Sequence, residues 1–158
     1  MRILFLFLLI PSLSFSQDCD SVPELNQQIV ALADKKLRKK VDRGECWDLA
    51  KYVLDETNAE WDDYEVYGKL INRKKECIIP GDIIQFENIK LQWEEGGAKY
   101  YETMKHHTAI VYEVVSQDEL ILIHQNTGQH GKKVGTTTFR LYAIKKGKLL
   151  IYRPVASN

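Results

Sequence analysis

His106-His107-Thr108-Ala109-Ile110-Val111-Tyr112-Glu113-Val114-Val115, then Ser116 to Glu119, then Leu120-Ile121-Leu122-Ile123-His124-Gln125-Asn126, reads as a β-hairpin. Branched apolar residues crowd both halves, and a short polar segment separates them. Strand alternation puts His107, Ala109 and Val111 on one face of the first strand and Leu122, His124 and Asn126 on one face of the second. With a two-residue turn at Gln117-Asp118, Val111 faces His124, Ala109 faces Asn126, and His107 lies diagonal to Asn126. A longer turn slides the register by a pair and brings His107 nearer to Gly128 or His124. Polar groups on an otherwise apolar face call for partners, so His107, His124 and Asn126 are candidate site residues.

Working outward, Pro80-Gly81 is a turn before an apolar strand, Ile83-Ile84-Gln85-Phe86. Gly96-Gly97 marks another loop, and Lys99 to Met104 is a short strand or an approach loop. Downstream, Thr136 to Tyr142 and Leu149 to Arg153 read as two more strands around a basic glycine turn, Lys145-Lys146-Gly147-Lys148. Upstream the period changes. Ser21 and Glu24 form a capping-box pattern ahead of Leu25, Ile29, Leu32, Ala33 and Leu37 at helical spacing. A second helix is expected after the glycine turn in Asp42-Arg43-Gly44-Glu45-Cys46-Trp47-Asp48-Leu49-Ala50, with Cys46 in its first turn. Asn58 to Asp63 and Lys69 to Glu76 read as an irregular, partly helical insertion. Helices first and an antiparallel sheet after them give an α+β fold.

The N-terminus carries Met1-Arg2 and then an unbroken apolar run from Ile3 to Ile10, ending at Pro11. Spanning a bilayer takes about 20 apolar residues, whereas a short basic start, an apolar core and small residues at Ser14 and Ser16 match an export signal. Residues 1–16 are therefore expected to be a signal peptide and 17–158 a single domain, secreted or periplasmic, with no membrane attachment after cleavage. Lys and Arg number 22, as do Asp and Glu. That balance favours neither nucleic acid nor an anionic membrane, and a monomer is expected.

Cys19, Cys46 and Cys77 all follow the signal, and in an oxidising compartment an odd count leaves one thiol spare. Cys46 at a helix N-terminus meets unpaired N–H groups and the positive dipole end, which favour a thiolate and lower its pKa. Gly44 leaves room for a substrate backbone to approach.

Gly44-Glu45-Cys46-Trp47 opening a helix, Pro80-Gly81-Asp82 opening a strand, His107 opening the next and His124-Gln125-Asn126 closing its partner together resemble the papain-like NlpC/P60 and CHAP superfamily. The trailing strands, up to Ile151-Tyr152-Arg153-Pro154, resemble more narrowly the cysteine-proteinase-like C-terminal domain of some fungal actin-patch proteins. The resemblance implies a papain-like thiol hydrolase cleaving peptide or amide bonds, with peptide or peptidoglycan-like substrates. Carried over, Cys46 is the nucleophile, His107 its base, and His124 or Asn126 the residue that orients His107. A nucleophilic Cys46 has to stay free, so Cys19 and Cys77 are expected to pair. Two other readings share these residues: a catalytically silent module that binds a peptide or protein partner, and a thiol acyltransferase. No cofactor is implied, and the four histidines lack the spacing of known zinc motifs.

Overall fold

The computed structural model describes Cys19 and residues 21–157, so the expected signal peptide lies outside the described residues. Helix α1 spans Glu24–Asp34 and helix α2 spans Cys46–Glu56. Eight strands follow: β1 Ala59–Glu60, β2 Lys69–Leu70, β3 Ile83–Glu95, β4 Ala98–Ser116, β5 Glu119–His124, β6 Gly135–Arg140, β7 Ile144–Arg153 and β8 Val155–Ala156. Six form an antiparallel sheet in the order β2-β7-β3-β4-β5-β6, and β1 pairs with β8. The α+β expectation holds, with both helices ahead of the sheet.

Local details depart from the sequence reading in three places. α1 starts at Glu24 with Pro23 at the N-cap and no capping side chain, so the Ser21 box is not formed. Proline suits the entry because its missing N–H would be unpaired there anyway. The insertion is not helical; it supplies the two-residue strands β1 and β2. The basic glycine segment is no turn either. Gly147 sits inside β7 at φ 107°, beside an irregular register between Glu87 and Lys90, and a Cβ there would come within 2.5 Å of the Asn88 carbonyl oxygen. The strand stays continuous because glycine alone tolerates that close backbone approach.

The sheet has two buried faces. On one, Ile83, Ile110, Ile123 and Tyr152 pack against Ile29 and Ala33 of α1 and Leu49, Ala50, Val53 and Leu54 of α2. Ile84, Phe86, Ala109, Val111, Leu122, Phe139 and Ile151 make the other, to which neither α1 nor α2 contributes. The sheet covers that face by curling. Phe86 on β3 meets Phe139 on β6 at 5.1 Å between ring centroids, although two strands separate them. Arg140 at the end of β6 likewise reaches Glu95 at the end of β3. A 3-10 turn, Leu141–Ala143, then crosses beneath to β7, adding Leu141 and Ala143 to the same cluster. The result is a half-barrel with helices outside one wall.

Cys19 and Cys77 are disulfide-bonded across 58 residues of sequence, and Cys46 is free, as expected. Closing a loop of that length stabilises a fold by roughly 4 kcal/mol in the chain-entropy account.

Candidate active site

Cys46 is the first residue of α2. Its position is fixed by the preceding loop, which is anchored at both ends. The buried amide of Gln125 accepts from the Val41 N–H at 3.1 Å and donates to the carbonyls of Val41 (3.1 Å) and Glu45 (2.8 Å). Asp48, also buried, accepts from the Glu45 N–H at 2.8 Å and pairs with Arg43 at 3.2 Å. Gly44 turns the chain at φ 85°, and a Cβ there would stand 2.8 Å from the Lys132 Cβ. Its smallness therefore serves packing against Lys132.

The hairpin of β4 and β5 has the two-residue turn at Gln117-Asp118, with Ser116 opposite Glu119. The register beyond it is not the simple one. Irregularities between Val111 and Glu113, and between Val114 and Ser116, each add one residue to β4, so Val111 faces Leu122 instead of His124. Two bulges have slid the pairing by two residues. His107 consequently meets His124, Nε2 to Nδ1 at 2.8 Å, and His124 Nε2 meets the Thr137 hydroxyl at 2.9 Å. Asn126 does not reach them. It is exposed, at φ 61°, and donates to the Glu45 carboxylate at 2.9 Å.

That histidine pair lies on the half-barrel face. His107 shares it with Ala109 and Val111, packs at 6.1 Å from the Phe86 ring, and lines a cavity with His124. Cys46 belongs to a cleft on the helix side, of about 300 Å³, lined by Arg43, Trp47, Tyr64, Glu65, Tyr67 and His106. The expected partnership of Cys46 with His107, oriented by His124 or Asn126, is thus not the arrangement observed. Adjacent residues on a strand point to opposite faces, and it is His106 that lines the cleft together with the cysteine.

His106 is held by a polar cluster. Its Nε2 lies 2.8 Å from the Gln85 amide nitrogen and 3.0 Å from Glu65 Oε1. The two contacts suit different protonation states: a neutral ring can accept from the amide at Nε2, whereas a charged ring donates there to the carboxylate. Gln85 is fully buried opposite Thr108, whose hydroxyl donates to Gln85 Oε1 at 2.7 Å. The hydroxyl of buried Tyr67 lies 3.2 Å from Thr108 Oγ1 and 3.4 Å from Gln85 Oε1, and burial pushes its pKa up to about 12. Gln85, His106, Thr108 and Glu65 were missed in the sequence. Gln85 had a visible signal, a lone amide in an apolar strand run.

The thiol differs from expectation too. Burial pushes the Cys46 pKa above its ordinary value, and the Glu45 carboxylate adds to the rise. Backbone N–H groups of Thr108, Trp47 and Cys46 itself pull the other way without overcoming it. Helix-terminal N–H groups do favour the thiolate, as read from the sequence, but desolvation is the larger effect. On the opposite face, burial pushes His107 down to about 4 and His124 to about 3, so both rings are neutral near pH 7. Among the described residues no group of three or more His, Cys, Asp or Glu stands together as a metal site.

Two solved structures of Ly7917 share the fold, with TM-scores of 0.53 and 0.55 and 14% sequence identity. The second carries the hydrolyzing product of MDP. The matches cover 80% and 82% of this chain and 61% and 62% of those chains, so this chain spans about three fifths of their length. No curated protein matches the sequence. The family model for the AIM3/BBC1 cysteine proteinase-fold domain matches residues 21–158. With helices leading an antiparallel sheet and a free cysteine opening the second helix, the chain belongs to the AIM3/BBC1 cysteine proteinase-fold domain family.

Proposed function

We propose that the protein is an exported thiol hydrolase acting on peptide or amide bonds, with Cys46 as nucleophile and His106 as base. The observation carrying this reading is the shared cleft of Cys46 and His106, in which the outer imidazole nitrogen is engaged by Gln85 and Glu65. With the ring proton on Nε2 and donated to Glu65, Nδ1 is the unprotonated nitrogen that takes a proton from the thiol. Cys46 passes its proton to His106, and the sulfur attacks the substrate carbonyl carbon. His106 then protonates the departing amine, leaving a thioester that water hydrolyses. Developing negative charge on the carbonyl oxygen would meet the Cys46 backbone N–H at the start of α2. Glu65 and Gln85 are positioning residues: the carboxylate accepts the Nε2–H hydrogen bond of the neutral base and of the imidazolium alike, and the Gln85 amide holds the same edge of the ring.

Residues 1–16 would direct export, and a Cys19–Cys77 bridge suits an oxidising destination. Peptidoglycan-like peptides are one substrate class worth offering, as is MDP, named with the Ly7917 structure. The raised pKa of Cys46 favours a second reading, a silent module that binds a peptide in the same cleft. One experiment separates the two. The mature protein, Cys46→Ala, His106→Ala and His107→Ala are incubated with cell-wall peptides, MDP and a general peptide library, and products are read by mass spectrometry. Cleavage abolished by Cys46→Ala, reduced about 100-fold or more by His106→Ala and retained by His107→Ala supports the enzyme. Cleavage that depends on His107 but not on His106 would sink the assignment. Binding without any cleavage would favour the silent module.

A further inference from the structure

The half-barrel encloses a cavity of about 360 Å³ on the sheet face away from Cys46. It falls within the range of small-molecule sites, about 300 to 1,000 Å³. Phe86, Leu91, Met104, Leu122 and Phe139 make much of its wall. Polar groups interrupt that wall, His107 and Arg140 among them. Trp93, which also lines it, stacks its ring on Tyr100 at 5.4 Å, and its indole N–H is buried without a hydrogen-bond partner among the described residues. His107, 7% exposed, uses only Nε2, in its contact with His124, and its Nδ1 has no partner among the described residues. Arg140 on the rim is already balanced, 3.2 Å from Glu119 and 3.5 Å from Glu95.

We infer that this cavity is a binding site for an uncharged, mainly hydrocarbon molecule carrying one hydroxyl or carbonyl group. The His107 Nδ1, which faces no partner among the described residues, asks for one, and the ligand oxygen supplies it. The chain Thr137–His124–His107 makes that contact adaptable. When the Thr137 hydroxyl donates to His124 Nε2, the His124 Nδ1 proton goes to His107 Nε2, and His107 Nδ1 is a donor. If His124 donates to Thr137 instead, His107 Nδ1 is an acceptor. A hydroxyl satisfies the second state and a carbonyl the first. Carboxylate ligands are disfavoured, because the one arginine in the wall is already held by two glutamates and Glu102 adds negative charge. Nothing in this site includes Cys46 or His106.

The test is a fluorescence titration of the mature protein with the neutral dye N-phenylnaphthylamine, followed by competition with decanol and with decanoate near neutral pH. Saturable dye binding is expected, with decanol displacing the dye at a concentration at least about tenfold lower than decanoate does. Met104→Trp, which fills the cavity, should abolish dye binding. His107→Phe keeps an aromatic ring, removes the Nδ1 contact, and should weaken decanol competition by about fivefold. Cys46→Ala should leave binding unchanged, so the result stands apart from the fate of the hydrolase reading. Absence of dye binding, dye binding untouched by Met104→Trp, or equal competition by decanol and decanoate would each overturn the inference.

Discussion

At the scale of single residues, the thiol decides how the site rests between turnovers. Cys46 is half-buried, and desolvation outweighs the backbone N–H groups that face its sulfur. Its alkylation by iodoacetamide should therefore rise with pH along a single curve whose apparent pKa lies above that of a free cysteine. Because no ion pair forms in the resting state, His106→Ala should leave that curve in place even while it removes activity. A labelling plateau reached below neutral pH, lost in His106→Ala, would instead demonstrate a resting thiolate-imidazolium pair. The cysteine itself was readable in the sequence, since a glycine turn followed by an amphipathic run announces a helix start. Choosing between two neighbouring histidines was not. Their assignment depends on strand parity, and parity depends on what packs on each face.

The hairpin and its two-residue turn followed from alternation and from the polar break at Gln117-Asp118. Its register did not, because the extra residues in β4, Tyr112 and Val115, carry no glycine or proline to mark a bulge. Glu65 was invisible for a different reason: it belongs to an irregular segment whose approach to β4 is purely tertiary. Gln125 was overlooked beside His124, yet it ties β5 to the loop that presents Cys46. Gln125→Leu should cost about 2 to 4 kcal/mol, since it strands a buried N–H and two carbonyls. Asn126→Ala, which loses one exposed bond to Glu45, should cost under about 1 kcal/mol. Urea denaturation of both variants checks this, and equal losses would remove Gln125 as the anchor.

For the whole molecule, the curled sheet stores two neutral imidazoles in its interior. In the unfolded chain each takes up a proton near its ordinary 6.5, whereas the folded pair resists until about 4 and 3. The unfolded state thus binds more protons in that window. Stability is fully present above pH 6.5 and falls as the pH drops toward 4, by up to about 1.4 kcal/mol per pH unit for each histidine. Urea midpoints between about pH 7 and pH 5 should decline, and His124→Gln should flatten the decline while preserving hydrogen bonds to Thr137 and His107. A level profile in the native protein would mean that the pair is not buried as described. The α+β class and the helix-then-sheet order were legible from periodicity. The curl was not, because no local pattern records that Phe139 returns to Phe86.

β4 acts as a partition between two chambers, and His106 and His107 are the two sides of one wall. Ancestry has a consequence here. A single inserted residue absorbed as a bulge between them would leave each imidazole in its own compartment while parting them in sequence, and a one-residue slip would exchange them. β4 already tolerates two such insertions nearer its turn. Aligning relatives by the His-His pair alone would then equate a solvent-facing base with a sequestered ring. The dependable landmarks are the residues that face each side with them: Gln85 and Thr108 on the cysteine side, Phe86 and His124 on the other.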